Sequence, residues 1–164
     1  MNTATFDTIA AMSTEQIATP PGGALGGALG NEMSFLLARA NALSLAAGNA
    51  ALAASGLRAR SYSILALSVD GSRPSQRDLA DFLRLDPSQV VALVDDLQAR
   101  GLVVREPDPA DRRANVVVAT PTGRLVYEQA HAAARAAEEQ VFGRLTPVER
   151  DRLAALLRLV AFPD

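Results

Sequence analysis

The stretch Ser75-Gln76-Arg77-Asp78-Leu79-Ala80-Asp81-Phe82-Leu83-Arg84-Leu85-Asp86-Pro87-Ser88-Gln89-Val90-Val91-Ala92-Leu93-Val94-Asp95-Asp96-Leu97-Gln98-Ala99-Arg100-Gly101 contains two helix starts and one helix stop. Ser75 and Asp78 have capping-box spacing, and Leu79, Phe82 and Leu83 follow as an apolar face. That helix is predicted to end near Leu85. Asp86-Pro87-Ser88-Gln89 opens a second helix, with Asp at the N-cap, Pro at the first helical position and Gln at the third. Val90, Leu93, Val94 and Leu97 then fall at i, i+3, i+4 and i+7, a single buried stripe. Ser88, Gln89, Val91, Ala92, Asp95 and Asp96 are left on the outer face. Gly101 after Arg100 stops the helix as a C-cap glycine does. Two short helices joined by a tight turn read as a helix-turn-helix.

Downstream lie two β-rich runs, Leu102–Glu106 and Asn115–Thr120, separated by Pro107-Asp108-Pro109-Ala110-Asp111-Arg112-Arg113. They predict a hairpin with a stiff, charged, extended tip. Thr120-Pro121 caps a long helix reaching about Phe142. Thr146-Pro147-Val148-Glu149 is a further capping box, opening a last helix with Leu153, Leu156, Leu157 and Val160 on one face. Upstream, a helix over about 31–54 is apolar nearly all round, which implies burial against more than one surface. Another covers about 58–68, with Tyr62, Leu65 and Val69 on one stripe. Asp70-Gly71-Ser72 breaks the chain and Arg73-Pro74 extends it. The order α-α-α-α-β-β-α-α predicts a mainly α fold with a small β-hairpin wing. Residues 1–30 are rich in Thr, Ala, Gly and Pro, and Pro20 to Gly30 reads as a linker.

A length of 164 residues suits one domain with a tail, and 49% hydrophobic with 21% charged residues is a globular composition. There is no Cys, so disulfide scaffolds, thiolate zinc sites and thiol redox sensing are excluded. His131 is the only His and cannot by itself build a multi-His metal site. Aromatics are 4% of the chain, too few for a stacking surface on single-stranded nucleic acid. Asp95-Asp96 and Glu138-Glu139 are sequence neighbours, so they project about 100° apart on a helix instead of converging on a substrate. No Gly-rich phosphate loop follows a strand. No enzyme, cofactor or metal is therefore expected. The first Arg is Arg39, so a basic leader is missing. The uncharged run 40–57 is too rich in Ala, Asn, Gly and Ser for a convincing membrane span. A cytoplasmic protein with no membrane partner is expected.

Residues 31–162 resemble the MarR family of winged helix-turn-helix regulators. The resemblance is carried by Gln76 to Leu83, Asp86-Pro87-Ser88-Gln89-Val90 and Leu93 to Val103. It is most specific in Asp108-Pro109-Ala110-Asp111-Arg112-Arg113-Ala114-Asn115 followed by Thr120-Pro121-Thr122-Gly123. It implies a homodimeric, ligand-responsive transcription factor, usually a repressor, acting on a roughly palindromic operator. The winged helix-turn-helix would span about 57–120 and the dimerisation helices about 31–54 and 121–162, with residues 1–30 a flexible extension. It also implies that the helix opening at Pro87 enters the major groove of double-stranded DNA while the wing crosses the adjacent minor groove. Ser88 and Gln89 at that helix start can reach base edges or phosphates. Ser75, Gln76 and Arg77, at the start of the preceding helix, join them on the DNA-binding surface. Asp111 and Arg113 match the family's Asp-x-Arg and would brace the wing, leaving Arg112 to probe the narrow minor groove and Arg113 beside it. A small aromatic or anionic inducer is implied in a cleft between the dimerisation helices and the DNA-binding lobe, with Arg39, Tyr62 and His131 as candidate lining residues.

The chain departs from the family where the helix-turn-helix should be basic. Val91-Ala92 replaces the common Thr-Arg, and Asp96 stands where a basic residue is usual. From Arg73 to Arg124 there are eight Arg against eight Asp plus Glu, and the whole chain carries a net charge of −2. Phosphate neutralisation drives most non-specific affinity, so binding should be weak and concentrated at the wing. Val91 and Ala92 could instead meet thymine methyls. A second reading stays open, in which a winged-helix dimer with weakened DNA binding acts through a small ligand or a protein partner.

Overall fold

The computed structural model describes residues 29–109, 111 and 114–163. Their elements are α1 (Met33–Leu52), a 3-10 turn (Ala53–Ser55), α2 (Ala59–Val69), α3 (Gln76–Leu83), α4 (Pro87–Ala99), β1 (Val103–Pro107), β2 (Asn115–Ala119), α5 (Pro121–Val141) and α6 (Pro147–Ala161). This is the mainly helical winged fold that the capping signals predict. The chain divides into two compact units after Ala40.

Each predicted start is a working cap. The Ser75 hydroxyl accepts from the Asp78 amide at 3.1 Å, and the Asp78 carboxylate accepts from the Ser75 amide at 2.9 Å. The Asp86 carboxylate accepts from the Ser88 amide at 2.8 Å, and the Thr120 hydroxyl accepts from the Gly123 amide at 2.9 Å. Thr146 and Glu149 form the last reciprocal box. These bonds hold carboxyls below their ordinary range: Asp78 chiefly through the Ser75 hydroxyl, Asp86 through the Ser88 hydroxyl, and Glu149 through the Thr146 amide. A lowered folded pKa contributes stability that is present above the unfolded value of about 3.9 and is lost as pH falls through the folded one. Asp78→Asn is therefore expected to be less stable than the parent at pH 7. In urea titrations the gap between the two should close towards pH 3.

The core gathers where α2, α3, α4 and the hairpin meet. Ile64, Leu65, Leu79, Val90, Val94, Leu97, Val103 and Val117 have no exposed surface. The α4 stripe is as predicted, with Leu93 half-buried beside it. On α2 the inward face is Ser61, Ile64, Leu65 and Ser68, one position off the predicted Tyr62–Leu65–Val69 stripe. The serines are tolerated there because Ser61 donates to the Arg58 carbonyl and Ser68 to the Ile64 carbonyl. Phe82 is not part of the core face of α3: it is 56% exposed and rests against Phe162 with ring centroids 5.8 Å apart.

Arg73 also departs from expectation. A residue before Pro is normally extended, yet its φ is +51°. Its guanidinium meets Glu106 of β1 at 2.7 Å, which anchors the corner to the base of the wing. The strands pair antiparallel from Val103↔Ala119 to Pro107↔Asn115. Ser75 adds an isolated bridge to Val116, and the Val117 amide donates to the Pro74 carbonyl at 2.8 Å. The wing is thereby tied directly to the start of α3.

The outer helices leave most of their apolar surface uncovered within one chain. Leu52 is the only buried residue of α1, and α6 has none. Leu43, Leu45, Leu156, Leu159, Val160 and Phe162 are all exposed. By length and composition Met33–Ser55 is apolar enough to cross a membrane, with mean hydropathy 1.2.

Candidate nucleic-acid interface and ligand cleft

The outer face of α4 carries Ser88, Gln89, Val91, Ala92, Asp95 and Asp96, all of which the periodicity places outward; of these, Ser88, Gln89, Val91, Ala92, Asp95 and Asp96 are exposed. Its N-terminal amides open beside the Asp86 cap, and Ser88 also gives its hydroxyl proton to that carboxylate. The Gln89 side-chain oxygen accepts from Arg60 at 3.3 Å, leaving its amide N–H groups to point elsewhere. The Ser75 hydroxyl is occupied as a cap, whereas Arg77 is almost fully exposed beside Asp81 at 3.9 Å. Asp111 shares the hairpin loop, where its carbonyl accepts from the Ala114 amide at 2.9 Å. The expectations for Arg112 and Arg113 lie outside the described residues.

The acidic character of α4 changes meaning once its neighbours are in place. Arg105, on β1, reaches Asp95 at 2.6 Å, the Gln98 side-chain oxygen at 2.7 Å and the Gln76 side-chain oxygen at 2.6 Å. One guanidinium thus joins the wing, the recognition helix and the helix before it, with its side chain 22% exposed. Asp96 is met one turn later by Arg100 at 3.4 Å. Both carboxylates that argue against a polyanionic partner are compensated inside the fold. Sequence reasoning misses Arg105 as a functional residue because its partners lie seven to twenty-nine positions away in the chain.

The family fingerprint Thr120-x-x-Gly123 also has a physical basis. Thr120 caps α5, donates its hydroxyl proton to the Gly101 carbonyl at 2.7 Å, and donates its amide to the Leu102 carbonyl at 3.0 Å. A Cβ on Gly123 would lie 2.0 Å from that same Leu102 oxygen. The pair therefore locks the start of α5 onto the end of the helix-turn-helix.

On the other side of α2, the Tyr62 hydroxyl and His131 Nδ1 are hydrogen-bonded at 2.8 Å. Tyr127 stacks on both, with centroids 5.8 Å from Tyr62 and 5.4 Å from His131. Burial first, and then the neighbouring Tyr127 and Glu138, push the Tyr62 pKa up to about 12. Tyr62 accordingly remains protonated near neutral pH. Tyr62 also borders a cavity of about 200 Å³ whose walls include Leu45, Gly48, Leu52, Ala59 and Phe142, with Glu138 as its charged group. Two of the three predicted ligand residues are thus brought into contact. Arg39 is exposed on α1 in the other unit. Tyr127 escapes a search for polar lining groups, although it sits four residues before His131 and so shares its helix face. A larger hollow of about 530 Å³ lies between α5 and α6, lined in part by Arg135, Phe142, Arg150, Leu153 and Leu157.

A helix-turn-helix with an exposed second helix and a wing clamped beside it is the winged-helix architecture of DNA-binding transcription regulators. The MarR family profile matches residues 55–114. A MarR-family transcriptional regulator from Rhodococcus sp. RHA1 is 40% identical, covering 84% of this chain and 98% of that one, with a TM-score of 0.79. The chain belongs to the MarR family. CouR from Rhodococcus jostii RHA1, solved bound to p-coumaroyl-CoA, is 41% identical over 84% of this chain and 97% of its own, with a TM-score of 0.78. BpsR of Bordetella bronchiseptica, whose DNA binding is regulated by 6-hydroxynicotinic acid, is 30% identical over 82% of this chain and 96% of its own, with a TM-score of 0.74. The alignment spans 58% and 60% of the curated transcriptional regulators that the chain matches.

Proposed function

We propose that the chain is a ligand-responsive repressor that acts in the cytoplasm as a homodimer on a palindromic operator. The observation that carries the DNA reading is the pairing of Asp95 with Arg105 and of Asp96 with Arg100. It reduces the bare negative charge on α4 that favours the alternative, a winged-helix dimer that acts through a ligand or protein partner alone, while the module as a whole stays neutral. Ser88, Gln89, Val91 and Ala92 read the major groove, with Arg77 on the flanking phosphates and Ser75 and Gln76 holding the surface in place. Arg112 enters the minor groove, and Asp111 and Arg113 brace the wing. Residues 31–162 form the regulatory domain and residues 1–30 an extension to it. A second copy covers α1 and α6, whose apolar residues bury almost nothing within one chain.

The effector is a hydroxylated aromatic acid or its thioester. CouR and BpsR supply that chemistry, and the cleft offers the Tyr62 and Phe142 side chains and room for one ring, since a cavity of about 150 Å³ already holds benzene. Tyr62 meets the ring substituents, His131 bears on it through their hydrogen bond, and Arg39 is the candidate for the anionic group. Fluorescence anisotropy against DNA from the chain's own upstream region, beside a scrambled duplex and over a salt series, tests both halves. Preferential, salt-sensitive binding that weakens at least about tenfold in Arg112→Ala is expected, with release on adding p-coumaroyl-CoA. Equal binding to both duplexes at every salt concentration would sink the repressor reading.

A further inference from the structure

Of the hydrogen bonds that hold the corner between α1 and α2, two come from the C-terminal end of α4. After Leu52 the chain makes the 3-10 turn, passes through Gly56 at φ +64°, buries Leu57 and starts α2 at Ala59. Its amides are held locally: Gly56 to the Ala53 carbonyl at 2.9 Å, Leu57 to the Leu52 carbonyl at 3.2 Å, and Ala59 to the Asn49 side chain at 2.8 Å. The last two carbonyls of the turn, Ser55 and Gly56, accept from Arg100 Nη2 at 3.0 Å and Nη1 at 2.9 Å. Helix-end carbonyls carry partial negative charge and need donors, and a planar guanidinium can serve two adjacent ones where an ammonium cannot. The fit is close, because a Cβ on Gly56 would stand 3.0 Å from Arg100 Nη2. Asp96, one turn back on α4, orients the same guanidinium.

Leu52 and Ala59, the residues on either side of this corner, are both walls of the Tyr62 cavity. We propose that Arg100 is the positioning residue that couples this cavity to the recognition helix, by fixing the end of α4 to the corner that closes the cavity. The acidic residue at 96, which departs from the family's usual basic one, then has a role, because it keeps Arg100 on the carbonyls and away from phosphate. A shift of the corner displaces the guanidinium, and α4 follows as a packed body. The biological use of this coupling rests on the reading of the cavity as the effector site, but the coupling itself is measurable without effector, because linkage is reciprocal.

The test is amide hydrogen exchange on the full chain, with and without a duplex that the wild type enriches from a random-sequence pool. In the wild type the duplex should slow exchange in α4, and about tenfold at the amides of Gly56, Leu57 and Ala59. In Arg100→Met, α4 should still be protected while the corner amides change less than about twofold. Arg100→Lys, which keeps the charge but loses the fork, should fall between the two, and it serves alone if the Met variant does not fold. Undiminished transfer of protection to the corner in both variants overturns the proposal, as does a wild-type corner indifferent to the duplex. If no duplex is enriched, the DNA reading fails and the coupling falls with it. If the corner responds to the duplex while p-coumaroyl-CoA leaves duplex affinity unchanged, the coupling stands and that effector is wrong.

Discussion

Replacing Gly123 with Ala is expected to destabilise the chain by about 3 kcal/mol or more, a large share of the roughly 5–15 kcal/mol that holds a domain together. The added Cβ would sit 2.0 Å from the Leu102 oxygen, 2.9 Å from its carbonyl carbon and 3.3 Å from its Cα. All three are backbone atoms, so no side chain can swing away to make room. Nor can the carbonyl retreat, because it accepts from the Thr120 amide at 3.0 Å, and Leu102 itself is buried. Either α5 loses its first turn or the hairpin lifts from the end of α4. Urea unfolding followed by circular dichroism would read the loss, and a change below about 1 kcal/mol would refute this account.

Arg105→Ala should produce the largest loss of DNA affinity among the described residues, on the order of a hundredfold at moderate salt. Two effects add. The wing loses the group that aligns it with α3 and α4, and Asp95 is left as an uncompensated negative charge facing the duplex. Hydrogen bonds to charged groups are worth about 1.5–3 kcal/mol each, and the side chains here are partly exposed, so the lower part of that range applies. Asp95→Asn in the Arg105→Ala background should recover part of the affinity by removing the stray charge. The wing misalignment should persist, so recovery is incomplete. Anisotropy on the four proteins of this cycle tests the idea, which is wrong if Asp95→Asn gives no rescue or if Arg105→Ala binds like the parent.

The residues behind these two predictions differ in how far the sequence announces them. Ser75, Asp86-Pro87, Thr120-Pro121 and Thr146-Pro147 mark helix starts by chemistry that operates within three residues, and the helices begin there. The helix-turn-helix and the hairpin are legible for the same reason. Arg105 has no such local signature: its partners arrive from two other elements, α3 and α4, and a tally of eight positive against eight negative residues cannot say which charge meets which. The acidic α4 therefore reads as a defect in one dimension and as a paired surface in three. Helical spacing alone places Phe82 inward, but a helix of only eight residues has room for one short buried face, which Leu79 and Ala80 fill. The Pro after Arg73 predicts an extended residue. The anchoring contact to Glu106 accompanies a left-handed backbone there, a tertiary influence that no dipeptide rule contains. Tyr127 is the opposite case, since its spacing to His131 is visible in the chain and a search confined to polar partners passes over it.

The wing ladder has a consequence for how such a protein can acquire new targets. Its pairing closes at Pro107↔Asn115, and beyond that point the Asp108 amide donates to the Ala114 carbonyl while Ala114 donates back to the Asp111 carbonyl. The Val117 amide turns away from β1 to the Pro74 carbonyl, so in the alternating ladder the position facing Asn115 needs no amide; Pro107 fits there, and the Asp108–Ala114 bond carries the same register to the edge of the tip. The tip is in effect an exchangeable cassette. Replacing residues 109–113 with another sequence of the same span is expected to leave every side chain of β1 and β2 on its present face. Variation in that span would then leave the Arg105 clamp on α4 untouched.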